Sequence, residues 1–413
     1  MLTAYANEMA LMPTVLAMEK RGVCLDIGKL EEDLDFYNSG LALLDFEICQ
    51  MLGRQVDVDS NAALADAIEA AGLSKGFAST PTGKRSTSKE SLIGAVADPR
   101  LLGHLLIRGS IATCVRTFMG PWLEAAHKHG KLFIKWNQIR NYSDTGARTG
   151  RLSSSPNMQN IPVEWEGLRA QLNAIGYELP FPLPQVRRYV VPKPGYVFIG
   201  RDYSAQEMRL LAHFSNGALL QSLIENPYKD VHMIAAELAN ITRKVAKTLG
   251  FAILYGAGAA RVAESLGISV GEATEIKRKY LRALPEIKRF QDELKERAQS
   301  GLPCITLGGR QYYVQAPVMV MGRLKTFEYK LVNYFIQGSA ADQTKEAMLN
   351  YDKNTRSGEL VLSVHDQIVI QCPEDDLEHD RGVLAQAMNS SYQHVLRYKV
   401  ISDESIGHNF SEL

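Results

Sequence analysis

Asp202 closes the stretch Tyr196 to Tyr203, YVFIGRDY, and Asp366 sits inside GELVLSVHDQIVIQC. The first reads as a buried strand with an acid at its carboxyl end. The second reads as two apolar strands, Leu360 to Val364 and Ile368 to Gln371, with His365 and Asp366 at the tip of a tight turn. An acid at the end of a buried strand is costly unless it meets a cation or a metal. Two of them suggest a site where two Mg²⁺ ions, about 3.5–4 Å apart, stabilise the attacking and leaving oxygens of an in-line displacement. Each aspartate alone is more often structural, so the case rests on what lies between them. There, RKVAKTLGFAILY places Arg243, Lys247, Phe251 and Tyr255 at four-residue steps, on one face of a helix. Cations followed by aromatic faces suit a ligand charged at one end and flat at the other, as a nucleoside triphosphate is. Read alone, the stretch fits an ordinary amphipathic helix with solvated basic residues better still.

The surrounding elements must position these groups. The helix after Asp202, SAQEMRLLAHFS, presents Gln206, Glu207 and Arg209 in its first turns. TGARTGRLSSSPNMQNIP, from Thr145 to Pro162, is a polar loop carrying Arg151, Asn157, Gln159 and Asn160. An arginine and side-chain amides can reach the minor-groove acceptors that every base pair shares. A capped surface loop is the plain alternative. Residues 1 to about 30 read as a helix and a turn, with strand-like alternation in GVCLDIGKL. From Lys29 to about His129 the pattern is helical, broken by the loop FASTPTGKRSTSKES. Lys84, Arg85 and Lys89 in that loop could hold phosphates, and a solvated loop is an equal reading. GKLFIKWN, Gly130 to Asn137, reads as a short strand.

The 413 residues allow two or three domains, and 46% hydrophobic content suffices for sizeable cores. Lys+Arg and Asp+Glu are 46 each, so any basic surface must be local. Five scattered cysteines without a CxxC pair favour reduced thiols in a cytosol-like compartment. Charged residues interrupt the amino terminus and no apolar run is long enough for a bilayer. The expectation is a cytoplasmic protein with no membrane partner.

In order along the chain, TGRLSSSPNMQNIP is similar to TGRLSSxxPNLQNIP of the family A DNA polymerases, the DNA polymerase I group. DYSAQEMRL resembles that family's DYSQIELR, and RKVAKTLGFAILYG its RxxxKxxxFxxxYG helix. NYFIQGSAAD, VHDQ and GHNF resemble NxxxQGxAAD, VHDE and GxNW. The resemblance spans nearly the whole chain and implies an α+β right-hand fold, with an antiparallel-sheet palm and helical thumb and fingers. It implies a palm-base segment over 1–30, a thumb over 31–125, palm over 126–225 and 301–413, and fingers over 226–300. It implies a monomer that extends primer-template DNA with deoxynucleoside triphosphates, using two Mg²⁺ ions. Asp202, Asp366 and the carbonyl of Tyr203 would hold the metals. Arg243, Lys247 and His232 would grip the triphosphate, and Lys247 would protonate the leaving pyrophosphate. Phe251, Gln206 and Glu207 would lie at the nucleotide, with Glu207 barring a 2′-hydroxyl and Tyr255 as its partner, stacking where the template base enters. Arg151, Asn333 and Gln337 would contact DNA and His365 the primer terminus; Asn157, Gln159, Lys84 and Arg85 join them as DNA-contact candidates on their residue types alone.

Three departures stand out. Gln367 replaces the glutamate of VHDE, removing one negative charge near the metals. Tyr329 stands where an arginine commonly precedes NxxxQG, leaving Lys330 as the nearest cation. Only ten residues, 233–242, separate His232 from Arg243, so the fingers helix should start abruptly. No stretch remains for a nuclease domain, and a mismatched primer end is expected to stay uncut. A single-subunit RNA polymerase and a catalytically dead primer-template binder are the competing readings.

Overall fold

Residues 196–203 are apolar almost throughout, the pattern of a strand covered on both faces. In the computed structural model, which describes residues 2–80, 83–163, 165–320 and 322–413, they form β1 (Tyr196–Tyr203) at the interior of a four-stranded sheet. Its other members are β2 (Glu359–Val364), β3 (Gln367–Pro373) and β4 (Ser402–Gly407), in the order β2-β3-β1-β4 with every pairing antiparallel. β2 and β3 are joined by the two residues His365 and Asp366, as expected.

Helices carry the rest. α1 (Leu2–Arg21) is followed at once by α2 (Ile27–Leu52), which packs on α3 (Pro99–Cys114) in an amino-terminal helical lobe. The alternation in GVCLDIGKL yields only the two-residue strand Cys24–Leu25, because Asp26 accepts a hydrogen bond from Lys29 N and caps α2. GKLFIKWN likewise shortens to a strand at Lys135–Asn137, paired with Ser153–Ser155 of the polar loop. After β1 come α4 (Gln206–Ser215), α5 (Val231–Ala239) and α6 (Arg243–Leu254). The long α7 (Lys330–Asn354) packs on α1, α4 and α8 (Leu377–Ser390), and α8 covers one face of β1, β3 and β4. Among the described residues, no helix is long and apolar enough to cross a membrane.

A buried ionic network fastens α1 to α7. Glu8 meets Lys345 and Arg310, and Arg310 also meets Asp342. Asp342 further accepts from Gly308 N at 2.8 Å and from Thr306 Oγ1. Burial pushes Lys345 down to about 8 against the pull of Glu8. Deleting one member of such a cluster leaves an uncompensated buried charge, so Asp342→Ala is expected to destabilise the fold by about 3–5 kcal/mol. A urea unfolding curve measures it; an unchanged midpoint would mean that water replaces Asp342 without loss.

Candidate nucleotide and metal site

The sheet register brings the two acids together. Gln367 pairs with Asp202 across β3 and β1, so the β2–β3 turn ends beside the carboxyl end of β1. His365 adopts a left-handed φ of 57°, and Tyr203 N donates to Asp366 O at 3.3 Å. The two carboxyl groups are close enough to act on each other electrostatically. Solvent reaches Asp202, but protein crowds its remaining sides. That crowding and the neighbouring Asp366 push it above the usual carboxylate range. Asp403, directly across from Asp202 on β4, adds to the negative field.

Two carboxylates so placed fit a divalent cation. No described group of three or more His, Cys, Asp or Glu forms a metal cage. Mg²⁺ commonly takes only one or two carboxylates and completes its shell with water and phosphate oxygens. The pair suits that ion better than one needing a full protein cage. The Gln367 amide leans over Gly200, with Nε2 3.1 Å from where a Cβ there would stand.

Three helices, α4, α5 and α6, present the organic groups. α4 follows Ala205, which is left-handed with φ 47°, and Glu207 in its first turn is only 8% exposed. Glu207 pairs with Arg151 and accepts from Tyr255 Oη at 3.1 Å; Gln337 Nε2 donates to the same hydroxyl at 3.4 Å. Thr242 caps α6 through Val245 N, so the helix starts at Arg243 without a lead-in turn. Along it the Phe251 and Tyr255 rings are nearly parallel at 10°, with centroids 6.1 Å apart, and His232 stands 5.9 Å from Phe251. Burial, helped by Lys247 and Arg243, outweighs the opposing pull of Asp230 and holds His232 below its usual range, and its Nδ1 is buried with no described partner. A neutral imidazole with a free nitrogen can bond an arriving ligand.

These groups enclose a cleft of about 260 Å³, lined by Arg151, Gln206, Glu207, His232, Phe251, Tyr255, His365 and Asp366. A second groove of about 330 Å³ adjoins it, sharing Arg151 and His365 and adding Asn157, Gln159 and Gln337. A sequence profile described as DNA polymerase family A matches residues 29–412. The chain belongs to DNA polymerase family A. It is 29% identical over 391 residues to the thermostable DNA polymerase I of Thermus filiformis, covering 91% of this chain and 44% of that protein. DNA polymerase I of Helicobacter pylori is 27% identical over 422 residues, covering 98% of this chain and 44% of the relative. The chain thus spans under half the length of these relatives. Its fold matches the POL domain of Pol1 from M. smegmatis, solved as a complex with DNA primer-template and dNTP. That match has a TM-score of 0.81 at 24% identity and covers 98% of this chain and 70% of the other. The right-hand α+β fold inferred for this family A chain is thereby the fold it has.

Several residues singled out in the sequence are engaged elsewhere in this family A chain. Gln206 reaches the cleft, but its amide donates to Gln343 Oε1 at 3.0 Å and Ala340 O at 3.3 Å, locking α4 onto α7. Gln159 donates to Leu152 O and Ser363 O, and Asn157 Oδ1 accepts two backbone N–H groups of its own loop. Arg85 pairs with Asp66 and Glu69, so its charge is already met; Lys84 beside it is exposed. Lys330 lies 4.4 Å over Phe327 and donates to Gln315, leaving it a poor substitute for the missing arginine. Tyr329 instead rests on Gly256, where φ is 67° and a Cβ would meet its ring at 2.7 Å. Asn333 lies one turn before Gln337 on α7.

Asp230 was not anticipated as part of the site. It caps α5 and pairs with Arg243. An Asp just before an apolar helical run is a readable cap signal, but the ion pair 13 residues away is not.

Proposed function

We propose that this family A chain is a template-directed DNA polymerase. It adds deoxynucleotides to a primer 3′ end by in-line phosphoryl transfer and releases pyrophosphate. The observation that carries this is the meeting of Asp202 and Asp366 beside a cleft that also holds His232, Phe251, Tyr255 and Glu207. Phosphoryl transfer asks mainly for positioning and charge neutralisation.

Asp202, Asp366 and the Tyr203 carbonyl would hold two Mg²⁺ ions, which when bound lower the charge on the phosphates and on the attacking primer oxygen. Arg243, Lys247 and His232 orient the triphosphate, and Lys247 Nζ carries the proton for the departing pyrophosphate. Phe251 and Tyr255 bound the base. Arg151, Asn157, Gln159, Asn333 and Gln337 face the primer-template minor groove, and His365 the primer end. Lys84 and Arg85 belong to a thumb over 31–125. The palm is built from 126–225 and 301–413 on a base at 1–30, with fingers over 226–300, in a cytoplasmic monomer. Primer extension with Mg²⁺ and the four deoxynucleotides tests the reading. Template-directed products support it; intact primer in every condition would favour the dead primer-template binder.

The single-subunit RNA polymerase reading is met at Glu207. A carboxylate held by both Arg151 and Tyr255 leaves little room beside the sugar for a 2′-hydroxyl. Glu207→Ala is expected to raise ribonucleotide incorporation strongly while slowing normal synthesis. Competition between a ribonucleotide and its deoxy counterpart reads the ratio. An unchanged ratio would remove Glu207 as the gate, and a wild-type preference for ribonucleotides would favour the RNA polymerase reading.

A further inference from the structure

Arg243 opens the fingers helix, yet its guanidinium is already occupied. Its Nε donates to Asp230 Oδ2 at 2.8 Å, and its Nη2 lies 2.6 Å from the same oxygen. The other oxygen, Oδ1, accepts from His232 N at 2.7 Å and Met233 N at 3.2 Å. One carboxylate thus caps the helix that carries His232 and neutralises the cation next to it. Lys247, by contrast, is exposed and makes no ion pair among the described residues.

A carboxylate beside a polyphosphate site needs a reason, since it repels the ligand. Capping alone does not supply one, because serine, threonine or asparagine caps as well without the charge. Burial opposes ionisation of Asp230, but Arg243 and the two backbone N–H groups outweigh it and hold it below the usual carboxylate range. It is therefore charged at neutral pH. The pair is half open to solvent, with side-chain exposures of 50% for Arg243 and 35% for Asp230. Pairs that open are weak and exchange readily.

We propose that Asp230 is a positioning residue that competes with the triphosphate, and then with pyrophosphate, for Arg243. The inference rests on the polymerase reading above. Without nucleotide, Arg243 is parked on Asp230. An arriving triphosphate draws it away, and Asp230 recaptures it when only pyrophosphate remains, which helps the product leave. His232 keeps its place throughout, because Oδ1 holds the helix start independently of Oδ2.

Asp230→Asn separates the two duties: asparagine keeps the cap and loses the charge. Removing a competitor of exposed ion-pair strength should tighten polyphosphate binding by about 2–5-fold. The KM for a deoxynucleotide and the inhibition constant for pyrophosphate should both fall by that factor, and kcat should fall as release slows. In an Arg243→Ala background the same substitution should gain clearly less, since only the direct repulsion by Asp230 is then left to remove. Inorganic triphosphate titrated by calorimetry into the protein alone reads the exchange without any turnover. It should bind Asp230→Asn more tightly than wild type, at an unchanged melting temperature. Weaker binding by the variant, or a gain that is as large without Arg243 as with it, would overturn the proposal. A wild type that binds triphosphate but never extends a primer would instead count against the polymerase reading and leave the exchange standing.

Discussion

Asp202→Asn and Asp366→Asn are each expected to abolish primer extension while leaving primer-template binding largely intact. Each removes one of two neighbouring carboxylates that together fit a divalent ion. Loss of metal-assisted charge stabilisation is worth several kcal/mol, which is on the order of 10³-fold or more in rate. DNA affinity should survive, because it comes mostly from contacts to backbone phosphates made by other residues. Stability should survive as well. Asp202 stands beside Asp366 and across from Asp403, so neutralising it relieves like-charge repulsion, and the melting temperature should not fall. Single-turnover extension, filter binding and a thermal melt together separate lost chemistry from lost folding. Near wild-type extension by either variant would remove the pair from the reaction.

How much of this was legible in the sequence depended on distance along the chain. β1 was readable with its limits, because eight consecutive residues carry the pattern and the acid closes it. The β2–β3 hairpin was readable for the same reason. The start of α6 was readable from the four-residue stripe, and Thr242 confirms it as a cap. Local competition defeated the expectation at residues 22–30, where the Asp26 cap outweighed a strand-like alternation. Partners far along the chain were out of reach. Nothing in the loop around Arg85 announces Asp66 and Glu69, which absorb its charge. Glu8 and Lys345 are 337 residues apart, and only the packing of α1 on α7 makes them neighbours. Amides such as those of Gln206 and Gln159 are ambiguous in principle, since a group suited to DNA or nucleotide serves equally to join two elements. In both cases much of the donor capacity goes to backbone or to α7.

The site's charges are therefore unequal in readiness. Arg151 is tied to Glu207 and Arg243 to Asp230, so both must exchange a partner to meet a nucleotide or DNA. Lys247 sits one turn after Arg243 on α6 and, among the described residues, has no ion pair to give up. It also helps hold His232 below its usual range, which places its positive field at the buried imidazole.

Lys247→Ala is accordingly expected to slow incorporation on the order of 10²-fold or more, the usual loss for one preorganised charge contact to a transition state. The loss should appear in the rate of the chemical step more than in nucleotide affinity, since on the proposed reading Arg243 still holds the phosphates while Lys247 supplies the proton for pyrophosphate. Lys247→Arg should recover binding but little of the rate, because a guanidinium does not give up its proton. Tyr255→Ala provides the contrast. It leaves every cation in place but removes the ring stacked on Phe251 and the hydroxyl bound to Glu207, so mispairing should rise more than the rate falls. Rapid-quench measurements of matched and mismatched incorporation distinguish the two variants. Parallel losses in both would mean that the stripe from Arg243 to Tyr255 is not divided into a phosphate half and a base half.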